Sequence, residues 1–294
     1  MLPIPEQIAQ GRLVCPVSRQ RLLTSDEGLV TADGERTYPV LGGVPILIAD
    51  PEVQARYRQE ADGQMYGEYL SSRPSWAKRV LAPLVRPRND YRSDAAGKAF
   101  LTVTVEQPPG SLCLSIGGGP GRPHESLTNL NIDLFPNVDV VGDAYALPYA
   151  DGSVDTVHCE AVLEHLAEPA RALHEMQRVL RPGGLGYFVT PFLQAYHAYP
   201  NHYQNYTVEG HNHLLRSSGL RVLDAGTCVG PTFMILDLFS LYLRHCIPLK
   251  SLARAASAAT LLLTKPLRPL DRWINRSPQA GILASTVYAL VEKP

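Results

Sequence analysis

The sequence has no Cys-x-x-Cys pair: Cys15, Cys113, Cys159, Cys228 and Cys246 are scattered singly along 294 residues. That spacing excludes a disulfide framework and a complete zinc knuckle, and it suits a reducing, cytoplasmic setting. Neither sign of charge is in excess, with 27 Lys and Arg against 28 Asp and Glu for a net charge of -1. No overall field would hold a polyanion, so generic nucleic-acid binding is disfavoured. Long apolar runs are missing too. The longest, Phe233 to Leu243, contains Asp237 and falls short of the ~20 residues a bilayer span needs. The opening MLPIPEQIAQ lacks a basic segment followed by an apolar core, so no signal peptide is expected.

What is present is ample material for a core, since 45% of the residues are hydrophobic. The length exceeds the roughly 100 to 200 residues of one domain, which predicts a large body with a small appendage. Residues 12–48 supply the appendage: short β-rich runs separated by the turn signals Asp26-Glu27-Gly28, Asp33-Gly34 and Gly42-Gly43. A β-rich domain over 1–50 is too small to stand on apolar burial alone, so a metal or docking onto the body must help. LVCPVSRQRL followed by TYPVLGGVPILI resembles the small zinc-ribbon-like partners that activate tRNA, rRNA and release-factor methyltransferases. Where such relatives carry CPxC, this chain has Cys15-Pro16-Val17-Ser18, with no further Cys before Cys113. A four-ligand zinc site cannot be assembled, Cys15 reads as a small buried hydrophobe, and docking is expected to replace the metal.

Residues 51–110 are rich in charge and helix formers and broken by Pro74, Pro83 and Pro87, which predicts short helices in a connector. Its aromatic set, Tyr57, Tyr66, Tyr69 and Trp76, reads as interdomain packing ahead of a cover for a ligand cleft.

The chemistry lies in the body, 111–294. SLCLSIGGGPG, from Ser111 to Gly121, is a buried-strand pattern entering a glycine turn, after which Arg122-Pro123-His124-Glu125 is expected to open a helix. A dinucleotide site wants G-x-G-x-x-G, but the glycines stand at Gly117, Gly119 and Gly121, with Arg122 in the third place. Pro120 removes a backbone donor, which weakens a pyrophosphate cradle and matters less for a ligand without phosphate, such as S-adenosylmethionine. The second strand ends at Asp133, whose carboxylate can accept both ribose hydroxyls; an Asx turn before Pro136 is the other reading. A third ends at Asp143, which can accept the N6 amino hydrogens of adenine while the Ala144 N–H donates to the ring; a plain helix cap is the alternative. Ser153 to Glu160 is a fourth strand, and Leu173, Met176 and Leu180 recur at helical spacing before Pro182-Gly183-Gly184 and the strand Leu185 to Thr190.

In order, SIGGGPG, NIDLFPNVDVVGDAYALPYADGSVDTV, VLEHL and RVLRPGG resemble the type-eleven family of class I S-adenosylmethionine-dependent methyltransferases over about 75 residues. The resemblance implies an α/β, Rossmann-like sheet of seven mostly parallel strands with helices on both faces, closed by LRVLDAGTC and STVYALVEK as an antiparallel pair. It places S-adenosylmethionine on the carboxyl ends of the first strands, against Ser115, Gly117, Gly119, Gly121, Asp133, Asp143 and Ala144. The family commonly has an acid two positions before the first glycine to hold the methionine ammonium. Ser115 stands there instead, and exchanging a charged partner for a neutral one lowers affinity around tenfold.

Methyl transfer is driven chiefly by positioning, so a dedicated catalyst is not required, though an oxygen or nitrogen acceptor can need a base. The loop after the fifth strand should overhang the methyl, and it carries His197, His202, Tyr203 and Tyr206; His197 is the expected base. Where the family often has an arginine between two aromatics, this loop reads Gln204-Asn205-Tyr206-Thr207. No metal site is expected: His211 and His213 face apart on a helix, and His165 beside Glu164 reads as a packing and capping residue. Residues 230–281 read as a helical insertion, serving as a lid, a homodimer contact or a membrane-surface element for a lipid-linked acceptor. The sequence therefore points to a methyltransferase acting on a small-molecule or lipid-linked acceptor. Two rivals are an enzyme whose head presents RNA or a translation factor, against which the neutral charge counts, and a non-catalytic scaffold, for which Ser115 is the hint.

Overall fold

The computed structural model describes residues 1–61, 92–119, 121–198, 201–277 and 279–294. Tyr66, Tyr69 and Trp76 of the connector, together with Pro120, lie outside them. Its centre is a nine-stranded sheet. Five strands come from the body's first half: β6 (Cys113–Ile116), β7 (Leu127–Asn131), β8 (Val140–Gly142), β9 (Val154–Glu160) and β10 (Leu180–Pro191). Two more, β11 (Arg221–Val229) and β12 (Thr286–Glu292), close one side, and β4 (Val40–Leu41) with β5 (Val44–Leu47) close the other. The order is β11-β12-β10-β9-β6-β7-β8-β5-β4. Strands from β5 to β10 pair in parallel, whereas β10–β12, β12–β11 and β4–β5 are antiparallel. The α/β sheet expected from the sequence is present, two strands wider than expected because residues 40–47 join it.

The central strands are buried on both faces, successive side chains pointing to opposite sides of the sheet. Leu114, Ile116 and Leu130 enter a core shared with Leu173 and Met176 of the helix Pro169–Val179 and Leu215 of the helix Val208–Ser217. On the opposite face, Tyr187, Val189 and Tyr288 pack with Ala96, Ala99 and Val103 of the helix Asp94–Thr104, which Ser93 caps by accepting from the Ala96 N–H. Tyr57, on the helix Pro51–Ala61, is buried with Ile46 and Val141, and its hydroxyl donates to the Ile132 carbonyl. Packing is thus the role of that aromatic.

Among the described residues no helix joins β6 to β7, contrary to the expectation at Arg122–Glu125; the connection ends in turns, with the Leu127 N–H on the His124 carbonyl. Pro123 and the shortness of the crossover leave no room for helical turns. The N-terminal segment covers that face instead. The helix Ile4–Ala9 packs there, and Gln7 Nε2 reaches Thr128 Oγ1 on β7 at 3.0 Å. Leu13, Cys15, Leu22, Leu29 and Tyr38 share one core with the body, and Arg12 pairs with Asp155 at 3.2 Å. Of the first fifty residues, only β1 (Leu22–Ser25), β2 (Gly28–Thr31) and β3 (Thr37–Tyr38) form a separate small sheet. Cys15 is buried, with its thiol 3.0 Å from the Tyr38 hydroxyl.

Candidate active site

Because β6, β7 and β8 run parallel, with Ile116 opposite Leu130 and Leu130 opposite Val140, their carboxyl ends share one edge. Strand order reverses at β6, which lies between β7 and β9, and that is where an open α/β sheet leaves a crevice. Gly117 and Gly119 turn the chain there with φ of +72° and +62°, conformations a side chain resists. Gly118 is equally constrained, since a Cβ on it would stand 2.6 Å from Asn129 Oδ1; the sequence reading passed over it. Gly121 has no neighbour within 4 Å of such a Cβ. Arg122 points away from any ligand role: its guanidinium grips Asp139 at 2.6 and 2.8 Å and the Leu127 carbonyl at 2.7 Å.

Asp133 follows β7 half-buried, its N–H donating to Asn131 Oδ1 at 3.0 Å. Asp143 follows β8, and its Oδ1 accepts from the Tyr145 N–H at 2.9 Å, shaping the turn that contains Ala144. Gly117, Asp133 and Asp143 therefore leave the sheet on the same edge. Ser115 approaches the glycine loop from within the sheet, since a Cβ on Gly118 would stand 3.1 Å from its Oγ. Alternation sends Leu114 and Ile116 to one face and Ser115 to the other, where it is fully buried, with Oγ 3.2 Å from His158 Nδ1.

His158 passes this polar line onward. Its Nε2 is 3.5 Å from Glu160 Oε2, and Glu160 Oε1 is 2.6 Å from Arg92 Nη2. Burial alone would raise the Glu160 carboxyl, but His158 and Arg92 outweigh it and hold it down to about 2. After β9, Ala161 takes the strained φ of +56° and Val162 swings over Gly117. The turn Leu163–His165 then carries Glu164 inward, fully buried, with neither carboxylate oxygen hydrogen-bonded among the described residues. Burial, helped by the charge of Glu160, pushes its carboxyl up to about 7.

The loop after β10 folds back onto this turn. Tyr203 N–H donates to the Glu164 carbonyl at 2.8 Å, and Gln204 Nε2 spans the Leu163 and Leu166 carbonyls at 3.1 and 3.0 Å. His197 is brought beside Glu164 and His165, and its imidazole is held below its usual pKa by burial and by His202 and His165. Tyr206 is half-buried against the main core, with its hydroxyl buried. His165 is not a cap: its Nδ1 lies 2.5 Å from the Asn201 carbonyl and its Nε2 faces Glu164. His211 is buried and His213 exposed, facing apart as expected.

A cavity of about 160 Å³ lies among Glu160, Glu164, Thr190, Gln194 and Thr286, with Arg92 on its wall. Arg92 also lines a cleft of about 870 Å³ with Asp224, Thr227, Arg272, Asn275 and Tyr288. The glycine loop and the two edge acids stand at the strand ends where an open α/β sheet leaves its ligand crevice.

Residues 114–188 match the family described as a methyltransferase domain. An uncharacterised 37.1 kDa protein of transposon Tn4556 from Streptomyces fradiae is 30% identical over 63% of this chain and 58% of its own length. The demethylmenaquinone methyltransferase of Renibacterium salmoninarum is 34% identical over 35% of this chain and 52% of its own. The chain thus spans little more than half the length of these curated relatives. A crystal structure of the cyclase SpnF is similar at a TM-score of 0.45 and 17% identity, covering 74% of this chain and 94% of its own.

Proposed function

We propose that the protein transfers a methyl group from S-adenosylmethionine to an oxygen or nitrogen of a small-molecule or lipid-linked acceptor. The observation that carries this reading is the glycine loop, with φ of +72° at Gly117 and +62° at Gly119 and open space where a Gly119 side chain would stand, on the edge that also bears Asp133 and Asp143. The bound cofactor would supply an electrophilic methyl on a sulfonium, which needs no phosphate cradle. Gly117 and Gly119 would take its methionine and ribose portions, Asp133 the ribose hydroxyls, and Asp143 with Ala144 the adenine. Glu164, on the wall of the smaller cavity, and His197 beside it would orient the acceptor. Calorimetric titration with S-adenosylmethionine should show saturable binding, weakened at least tenfold in Asp133→Ala. Absence of heat in the wild type would favour the scaffold reading and end this one.

The lipid-linked form of the acceptor is favoured by one feature. On the helices Pro231–Cys246 and Lys250–Leu263, the side chains of Phe239, Tyr242, Leu252 and Leu263 are exposed, as is Trp273 beyond them. Arg244, Lys250, Arg254, Lys265, Arg272 and Arg276 accompany them, against only the acids Asp237 and Asp271. Apolar side chains ringed by cations suit an anionic membrane surface, and among the described residues no helix is long and apolar enough to cross one. Vesicles containing anionic phosphatidylglycerol should sediment the protein, and salt should release it. Concentration-dependent dimerisation without vesicle binding would assign this face to a second copy instead.

A further inference from the structure

Glu164 is fully buried beside two imidazoles, yet among the described residues neither of its carboxylate oxygens has a hydrogen-bond partner. An unpaired buried carboxylate is costly and calls for a partner. The nearest groups cannot serve as donors. His165 Nδ1 lies 2.5 Å from the Asn201 carbonyl and His197 Nδ1 lies 2.9 Å from the Ala195 carbonyl. A carbonyl only accepts, so each Nδ1 carries the ring hydrogen, and each Nε2 of the neutral imidazole presents a lone pair. Those two Nε2 atoms face Glu164 Oε1 at 3.8 and 3.9 Å. Three acceptors thus converge within 4.8 Å of one another with no hydrogen between them.

A proton on Glu164 does not close gaps of that length, because a hydrogen bond needs heavy atoms within about 3.2 Å. One cation does, drawing the three atoms in by small side-chain rotations until each stands about 2.0 to 2.2 Å from it. We infer that Glu164, His165 and His197 hold a divalent transition-metal ion, zinc being the best fit. Two imidazole nitrogens and one carboxylate oxygen suit zinc and its neighbours, whereas magnesium and calcium prefer oxygen alone. The Nδ1–H bonds to backbone carbonyls are the support that metal-bound histidines ordinarily have, since they fix both tautomer and ring direction. His202 is excluded from the set. Its Nδ1 accepts from the His197 N–H at 3.2 Å, and its Nε2 donates to Asn205 Oδ1 at 2.7 Å. The bonds from Tyr203 and Gln204 to residues 163–166 lock the loop that delivers His197.

Three protein ligands leave a coordination position open beside the cavity that Glu164 lines. The chemistry of that position rests on the methyl-transfer reading; the binding of the ion does not. An acceptor hydroxyl bound there would lose its proton to solvent more readily. Its oxygen would then form a bond to the methyl carbon while the carbon–sulfur bond breaks, and that electron pair would stay on sulfur as S-adenosylhomocysteine.

The test uses the full chain, stripped with a chelator and dialysed. Zn²⁺ titrated calorimetrically should bind at one equivalent, and Co²⁺ should develop a visible absorption band as it enters the site. His197→Ala and Glu164→Gln should each weaken Zn²⁺ binding at least tenfold, with circular dichroism confirming the fold, while His213→Ala should bind as the wild type does. S-adenosylmethionine is titrated into the same stripped samples, so loss of cofactor binding and loss of metal binding are read separately. The inference is overturned if the wild type takes up no Zn²⁺, if Mg²⁺ is preferred, or if the folded His197→Ala protein binds Zn²⁺ unchanged.

Discussion

Val162 stands over Gly117 so closely that a Cβ built on the glycine would lie 2.4 Å from Val162 Cγ2. The strand end after β9 and the glycine loop after β6 are thereby fitted to each other, which ties the fourth parallel strand to the cradle. Gly117→Ala must push Val162 aside and also hold a side chain at φ +72°. Strain and overpacking together should cost about 2 kcal/mol or more and remove measurable binding of S-adenosylmethionine. Adding Val162→Ala should recover part of the stability, because it relieves the collision but not the backbone conformation. Urea midpoints of the two variants check this, and a single variant as stable as the wild type would refute it.

The parallel core was legible because β6, β7 and β8 each pair a short apolar run with a glycine or an acid at its end. Asp133 and Asp143 follow β7 and β8, close to where that pattern ends the second and third strands. Less visible was the fate of Ser115, since a motif position does not reveal which face of the pleat a side chain takes, and His158 lies 43 residues away. Glu164, His165 and His197 were unreadable as a group for a similar reason: adjacent residues ordinarily diverge, and only the tight turn Leu163–His165 with the returning loop brings them together. Nor could the sequence show that residues 40–47 extend the sheet, because such runs read equally well as strands of a free-standing head.

Arg122 occupies the place a dinucleotide motif gives to glycine, and its work is structural. Its bidentate pair with Asp139 ties the segment after the glycine loop to the start of β8, and Asp139 Oδ2 also accepts from the Asn129 N–H at 2.7 Å. The pair is mostly shielded, with 21% and 14% of the side chains exposed. Arg122→Ala should therefore cost about 1 to 3 kcal/mol, above the typical surface ion pair. Cofactor affinity should fall with it, since the loop loses its anchor. Thermal unfolding and cofactor titration of this variant and Arg122→Lys check the claim; Lys, lacking the fork, should not restore full stability.

Glu160 gives the protein an acid-sensitive contact. Its folded pKa is about 2, against about 4.3 when unfolded. A depressed carboxyl contributes stability that is fully present above the unfolded value and is lost as pH falls from there toward the folded value. Glu160→Gln should be less stable than wild type at pH 7, where it leaves Arg92 without its carboxylate, and that deficit should shrink as pH drops from about 4.5 to 2. Urea midpoints taken across that range would contradict the assignment if the deficit stayed constant.

His211 acts at a higher pH and through the opposite charge. It is fully buried, among the described residues no partner reaches either ring nitrogen, and burial pushes its pKa down to about 3. Unfolded, it titrates near 6.5, so between these values the unfolded chain takes up a proton that the folded one refuses. Stability from this residue is complete above about pH 6.5 and declines toward pH 3, by up to about 1.4 kcal/mol per pH unit. His211→Leu removes the titrating group and keeps an apolar side chain in the core. Its stability relative to wild type should climb steadily as pH falls from 6.5 to 4, and parallel urea midpoints for the two proteins over that interval would show that His211 is hydrated or partnered when folded.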